Sequence, residues 1–516
     1  MVASLLQVLT NGLQNERLFF NETVYPFARL WRTTGRFTTQ IHRLDFDSAP
    51  AFGSSAQLRL VRKGQLITRL FLVANMPDIA APQIAAAAAA AASATTVAGP
   101  FFGWTNSLGH ALVAQATMNI GNTPVETLDS KLLEMLNEYT IPLEKTTTAN
   151  RLLKRLDNGF TQTSFGYAST STQVVVPLPY WFCRGDSASA FPIDAILDEV
   201  VRIGITFRPL NGLYYTDSRT LGNTSEAEGT SLWPLPKSPF YQHDPSGSVV
   251  PGLVGLDGLP VTTPVSVIPG IEMPPARDLP LGETYVLAEY VYLDQPEANR
   301  FRLGDLQIPI VQHYAIQPYP SRGLPRVRIP IAIPNPAKDL FWMVQRVSAP
   351  SYNAHFLACR DLRGARDPSG SLWWPNAIGL SSTQPGILQP AFALSDSEPI
   401  SACALLYQGS LVRFRTQTPA LYRSILPSWE QKKSPWVNRY YYNFPFGLWN
   451  GYTPPSRPRG EANLDKVPQS DLLLEFTPVR DSYNSNDVPN YMIYIWAETY
   501  NMLRVFGGRA GILFAY

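Results

Sequence analysis

The run from Val200 to Arg208 restricts this chain more than any other stretch. Val200, Arg202, Gly204, Thr206 and Arg208 alternate with Val201, Ile203, Ile205 and Phe207. A period of two places one set on each face of a half-buried strand. Runs of the same kind recur in both halves, as in "TQVVVPLPYWFC", "ETYVLAEYVYLD", "QIPIVQHYAIQPY", "RVRIPIAIP" and "KDLFWMVQRVS", each bounded by turn residues. Long helical patterns do not alternate with them, so tandem β-sandwiches are expected rather than a βαβ sheet.

Local signals add detail. In "QLRLVRKGQLITRLFLVANMP", Lys63-Gly64 between two apolar-alternating runs predicts a β-hairpin. Gly121-Asn122 predicts a reversal after Met118 and Ile120, and Leu132, Leu133 and Leu136 predict a short helix in "SKLLEMLNEYT". "FGGRAG" at Phe506 to Gly511 reads as a reversal between strands, where glycine tolerates positive φ.

A chain of 516 residues has room for two or more domains. Strand signals lapse between Pro209 and about Gly282, where Pro, Gly, Ser and Thr dominate. The expected organisation is an N-terminal arm over residues 1–19, a first sandwich over 20–210, a linker and loop insertion over 211–282, and a second sandwich over 283–516. In the arm, Val2, Leu5, Leu6, Leu9 and Leu13 share one face of an amphipathic helix. That face suits a helix packed under its own domain and an arm docking a neighbour equally well. Ala85 to Ala92 form a run that reads either as a helical turn in a long loop or as a low-complexity spacer.

Composition narrows the function. Charged residues make up 16% of the chain, against a usual ~25%, while 46 prolines and 24 tyrosines favour strands, turns and contact surfaces. Lys plus Arg is 42 and Asp plus Glu is 40, so no global charge draws the chain to nucleic acid and direct genome binding is not expected. Cys183, Cys359 and Cys403 are too few for a disulfide framework or a cysteine zinc site.

Candidate chemistry is thin. His42, His110, His243, His313 and His355 show no metal-site spacing, and His42 and His110 lie in strand-like runs as structural, hydrogen-bonded residues. Asp45 with Asp47, and Asp194, Asp198 and Glu199, are nominal carboxylate groups for a glycosidase. Acids beside strands are usually solvated or paired with arginine, however. Arg151, Lys154, Arg155, Lys432 and Lys433 read as solvated or interface charges. Arg184-Gly185-Asp186 matches a cell-adhesion tripeptide, but its aromatic flank and its Gly-Asp pair argue for a turn. No catalytic, cofactor-binding or metal residue is therefore assigned, no cofactor is expected, and the chain is not expected to be an enzyme.

Across nearly its whole length the sequence resembles the double jelly-roll major capsid proteins of nucleocytoplasmic large DNA viruses. In the first half the likeness is carried by "QLRLVRKGQLITRLFLVANMP", by "WTNSLGHALVAQATMNIGNTPVETLDSKLLEMLNEYT" and by "VPLPYWFCRGDSASAFPIDAILDEVVRIGITFRP". In the second it is carried by "IPIAIPNPAKDLFWMVQ", by "YYYNFPFGLWNGYTPPSRPRGEANLDKV" before "SDLLLEF", and by the closing "IYIWAETYNMLRVFGGRAGILFAY". The alanine run and the long Pro/Gly segment depart from the family pattern. The resemblance implies an all-β fold of two tandem jelly rolls and a non-enzymatic role. It implies homotrimeric, pseudo-hexameric capsomers tiling the icosahedral shell of a large double-stranded DNA virus. Implied partners are neighbouring capsomers, minor capsid proteins and an internal membrane beneath the shell, reached through the N-terminal arm. The implied location is the virion shell, assembled in the host cell interior. A carbohydrate-binding or carbohydrate-active β-sandwich and a secreted adhesin are the alternatives.

Overall fold

The computed structural model describes residues 35–78, 102–155, 172–217, 236–237, 279–347, 350, 355–356, 358, 398–409, 411–416, 418–431, 433–435, 439–447, 460–467, 469–477 and 490–514. The leucine-faced arm, the alanine run and most of 211–282 lie outside them.

The first half contributes β1 (Phe37–Leu44), β2 (Ser55–Arg59), β3 (Leu66–Met76), β4 (Phe102–Trp104), β5 (Val113–Ile120), β6 (Thr123–Asp129), β7 (Thr172–Pro177), β8 (Val201–Phe207), β9 (Tyr214–Asp217), β10 (Pro236–Lys237) and β11 (Thr284–Leu293). Helices α1 (Leu108–Leu112), α2 (Ser130–Thr140) and α3 (Thr146–Leu153) sit among them, and α4 (Gln295–Leu303) follows β11. The second half contributes β12 (Leu306–Pro320), β13 (Arg326–Pro330), β14 (Ala337–Arg346), β15 (Ile400–Tyr407), β16 (Leu411–Thr416), α5 (Leu426–Glu430), β17 (Tyr441–Pro445), β18 (Ser470–Phe476), β19 (Tyr491–Phe506) and β20 (Arg509–Ile512).

Two pairs of antiparallel sheets result. The first half forms β1-β11-β3-β7 and β2-β8-β5-β6; the second forms β12-β19-β14-β17 and β13-β18-β15-β16. Taken in chain order, each set of eight strands fills the same positions in its pair of sheets. This is a jelly roll, and it occurs twice. β8 shows the alternation that the sequence predicts, with Val201, Ile203, Ile205 and Phe207 buried and the residues between them half-buried.

Several local expectations hold. Helix α2 spans the predicted residues, and the Asp129 side chain caps it by accepting from the Leu132 N–H at 2.8 Å. β5 and β6 form a hairpin at Gly121, with φ +60°, and β19 turns into β20 at Gly507 and Gly508, both at positive φ.

Two expectations need correction. The Lys63-Gly64 turn does not close a hairpin: β2 pairs with β8, whereas β3 lies between β11 and β7 in the opposite sheet. The chain crosses the sandwich there, a step that local turn chemistry cannot distinguish from a reversal. The second roll also does not begin at residue 283. β11 is the strand that closes the first roll, inserted between β1 and β3, with Phe37 opposite Leu293 and Thr284 opposite Ala74. The Pro/Gly-rich segment is thus an excursion between two strands of one roll.

Each roll has its own core, but the first core continues beyond its own sandwich. Phe341, Met343, Tyr441 and Trp496 of the second roll belong to the same apolar cluster as Leu58, Trp104 and Ile205. Leu340, Trp342, Val344, Ile493 and Ile495 face the other way, into the second core. The sheet containing β14 and β19 is therefore apolar on both faces, which fixes one roll against the other.

Candidate functional site: a charged seam between the rolls

Charged side chains, which sandwiches usually keep at the surface, converge in two buried networks where the rolls meet. The first is built on α2. Glu134 and Glu138 are one helical turn apart and therefore on one face. Glu134 accepts from Ser107 Oγ (3.0 Å), meets His110 Nδ1 (2.7 Å) and pairs with Arg155 Nη2 (2.8 Å). Glu138 pairs with Arg155 and also with two residues of the second half, Arg439 Nη1 at 2.6 Å and Lys433 Nζ at 3.7 Å. Lys433 also donates to Thr146 Oγ1 at 3.2 Å. Burial pushes the Glu134 carboxyl up, yet Arg155 and His110 outweigh burial and hold it at about 2. Burial acts on Glu138 likewise, and Arg155, Arg439 and Lys433 reverse it. Both groups are carboxylates at neutral pH, locked between cations from the two rolls.

The second network answers the question of the Arg-Gly-Asp tripeptide. Only 5% of the Arg184 side chain is exposed, and its Nη1 donates to Glu498 on β19. Its Nη2 lies 2.9 Å from His313 Nε2 on β12. Arginine can only donate, so Nε2 accepts and Nδ1–H donates to Glu126 Oε1 of β6 at 2.8 Å. Lys338 Nζ donates to Glu498 Oε2 at 2.9 Å and stands 3.4 Å from Asp339. Burial again raises the Glu498 carboxyl, but Lys338 and Arg184 pull it well below the ordinary range. Asp339 goes the other way: burial lifts it, Lys338 only partly compensates, and it reaches about 7. Gly185 supplies the turn at φ +85°, and Asp186 caps the next turn through Ala188 N (3.1 Å) and Ser189 Oγ (3.0 Å). The tripeptide is a clamp between rolls.

Further hydrogen bonds extend the seam. Trp496 Nε1 donates to Asp129 Oδ2 (2.7 Å), Gln312 Nε2 to the Val125 carbonyl (2.5 Å), and Lys131 Nζ to Gln345 Oε1 (2.7 Å). At the far end, the β19–β20 turn docks on the first roll: Gly508 O accepts from Leu197 N (2.8 Å) and Asp198 N (3.0 Å).

The nominal glycosidase carboxylates are dispersed among these structural roles. Asp194 binds Arg302 (2.6 Å), Asp198 faces Arg509 (3.8 Å), Glu199 accepts from Ala510 N (3.0 Å), and Asp45 pairs with Arg43 (2.8 Å). His42 donates to or accepts from Tyr292 Oη at 2.7 Å, and His355 Nε2 donates to the Gly212 carbonyl at 2.6 Å. Among the described residues no three His, Cys, Asp or Glu side chains gather as a metal site. His243, Cys359 and Lys432 lie outside those residues. Sequence reading missed the seam itself. Its one signal was charge inside apolar strand runs, as at Lys338-Asp339 before "LFWMV" and at Glu498 after "IYIWA".

Comparison with known proteins agrees with this architecture. The chain is 21% identical over 481 residues to the major capsid protein of Frog virus 3, covering 90% of this chain and 86% of that one. It superposes on the solved PBCV-1 virus capsid with a TM-score of 0.61 at 14% identity, covering 95% of this chain and all of the other. The Faustovirus major capsid protein gives a TM-score of 0.57 at 12% identity, covering 96% and 94%. A family profile described as "Major capsid protein N-terminus" matches residues 26–294, which ends one residue after β11 completes the first roll. With more than half of its length matched by that profile, the chain belongs to the major capsid protein family.

Proposed function

We propose that three copies of this chain form a pseudo-hexagonal capsomer, and that such capsomers tile the icosahedral shell of a large double-stranded DNA virus. One observation carries this reading. Within the chain, β6 of the first roll lies against β12 of the second, through Gln312 to Val125 and His313 to Glu126. β6 and β16 hold equivalent places in the two rolls, as do β12 and β1. The same contact repeated between chains sets β16 of one copy against β1 of the next. Three such contacts alternate with three internal ones and close a ring of six rolls, as a heterologous interface does when its rotation closes.

Both surfaces suit that use. β1 and β16 are edge strands that carry exposed apolar side chains, Phe37 and Ile41 on one and Leu411 and Val412 on the other. Natural edges of this kind are normally blunted or covered. The seam keeps the two rolls of one subunit at a fixed angle, which a six-wedge ring requires. In this reading the rolls span 35–293 and 306–514, with α4 as the connector. The shell assembles inside the host cell, and the leucine face of residues 1–15 docks minor capsid proteins or the membrane beneath the shell.

Light scattering after size exclusion tests the trimer, with an expected mass three times that of the 57.3 kDa chain. The double variant Ile41→Cys, Leu411→Cys should give a disulfide-linked ladder ending at three chains under oxidation. A folded monomer at micromolar concentration that forms no ladder would overturn the proposal. For the arm, Leu5, Leu6 and Leu9 changed together to Ser should lower particle yield and leave the trimer intact.

A further inference from the structure

A cavity of about 550 Å3 opens between the β3–β7 face of the first roll and helices α2 and α3, away from the β16 and β1 edges. Its size lies within the ~300–1,000 Å3 typical of small-molecule sites. The walls are largely aliphatic, with Leu133, Leu136 and Leu152 among them. The charged lining groups are all cationic: Arg69, Lys145 and Arg184. Arg69 and Arg184 have carboxylate partners in Glu289 and Glu498. Lys145, exposed at the rim, has no side-chain partner among the described residues.

Asn137 is the informative residue. It is 6% exposed, lines the cavity, and its buried Oδ1 has no hydrogen-bond partner. Its backbone carbonyl caps α2, accepting from Ile141 N at 3.3 Å, but the side-chain amide makes no bond to any described residue. A buried amide left unpaired opposes folding, so such groups normally meet a partner. An amide can turn either end toward a ligand, offering a donor or an acceptor. An aliphatic wall, an unused buried amide and an unpaired cation at the rim match one class of molecule: a single apolar chain with an anionic head.

We propose that this cavity binds one free long-chain fatty acid per subunit. The chain lies along the leucines, and the carboxylate accepts from Lys145 Nζ and, with the amide turned so that Nδ2 takes the place of the unpartnered Oδ1, from Asn137 Nδ2. Filling the cavity adds packing to α2, the helix whose carboxylates clamp the second roll, so occupancy should stiffen the seam.

The test uses the purified full-length protein and cis-parinaric acid, whose fluorescence rises in apolar surroundings. Saturable binding at one per chain, displaced by oleate, is expected. Dodecanoate should compete at least about tenfold better than 1-dodecanol, because only the acid carries the charge that the rim favours. Ala149→Phe, which places a ring in the cavity, should abolish binding. Lys145→Glu, at an exposed position, should weaken it by about tenfold or more. Asn137→Leu should raise the melting temperature while weakening binding, a pairing that a purely structural asparagine would not show. Absence of saturable binding, parent-like binding by Lys145→Glu and Ala149→Phe together, or equal competition by the alcohol would overturn the proposal. So would uptake only from phosphatidylcholine–phosphatidic acid vesicles and not from the free acid, since that outcome assigns the site to membrane lipid.

Discussion

β1 and β12 occupy the same place in the two rolls, as first strands at sheet edges, yet one is bare and the other covered. Six of the eight residues of β1 are exposed, Phe37 and Ile41 to more than 60%. In β12, residues 310–313 are buried, and Gln312 and His313 bond to Val125 and Glu126 of β6. Topology does not account for the difference, because the topology is shared. Whether a neighbouring roll is present does. A strand can therefore be complete as part of a fold and incomplete as a surface, and β1 shows what β12 would look like without its partner.

Substitutions can break this comparison on the covered side. The largest effect is expected for Trp496→Ala, which removes a buried indole from the inter-roll cluster and takes from Asp129 Oδ2 its indole donor. A loss of about 3–5 kcal/mol is typical of such truncations and should appear in chemical denaturation. Glu138→Gln should follow at about 3 kcal/mol, because it leaves three buried cations, Arg155, Arg439 and Lys433, with Glu134 as the one carboxylate among them. The same network sets an acid limit. The folded Glu134 carboxyl sits at about 2, below its ordinary 4.5, so its stabilisation is present above about pH 4.5 and is lost as pH falls toward 2. Melting temperature followed from pH 6 to pH 2 should drop across that window, and a flat profile would refute it.

Smaller changes sharpen the contrast. Gly508→Ala imposes a side chain at φ +80° and brings a Cβ to 3.2 Å from that of Leu197. It should cost about 1–2 kcal/mol and loosen the docked turn, which amide exchange at Leu197 and Asp198 would register. Ile41→Ser, on bare β1, should change the stability of the isolated subunit by less than about 0.5 kcal/mol while reducing trimer formation. If Ile41→Ser instead destabilised the subunit as much as Glu138→Gln does, β1 would be covered within the chain and the comparison would fail.

The legible and illegible parts of the fold separate along a physical line. Period and caps are local, so the β8 alternation, the helix at Ser130–Thr140 and the glycine turn at 507–508 could all be read from sequence. Pairing is not local. Lys63-Gly64 has the chemistry of a hairpin turn, yet its flanking strands belong to opposite sheets. "ETYVLAEYVYLD" alternates as any strand does, and nothing within it says that its partners are residues 37–44 and 66–74 rather than the strands that follow. The seam was hidden for the same reason. Glu138 and Arg439 are 301 positions apart, and each alone reads as a solvated charge.

The late arrival of β11 has a consequence for synthesis on the ribosome. His42 meets Tyr292 across 250 positions, so β1 leaves the exit tunnel long before the strand that will hold it exists. At ~5–20 residues per second that interval is roughly 10 to 50 seconds. Throughout it Phe37 and Ile41 are apolar side chains on an unpaired segment, open to any other nascent chain nearby. A virus that translates many copies of this message at once would thus gain from a host chaperone that shields the first 50 residues until the closing strand emerges.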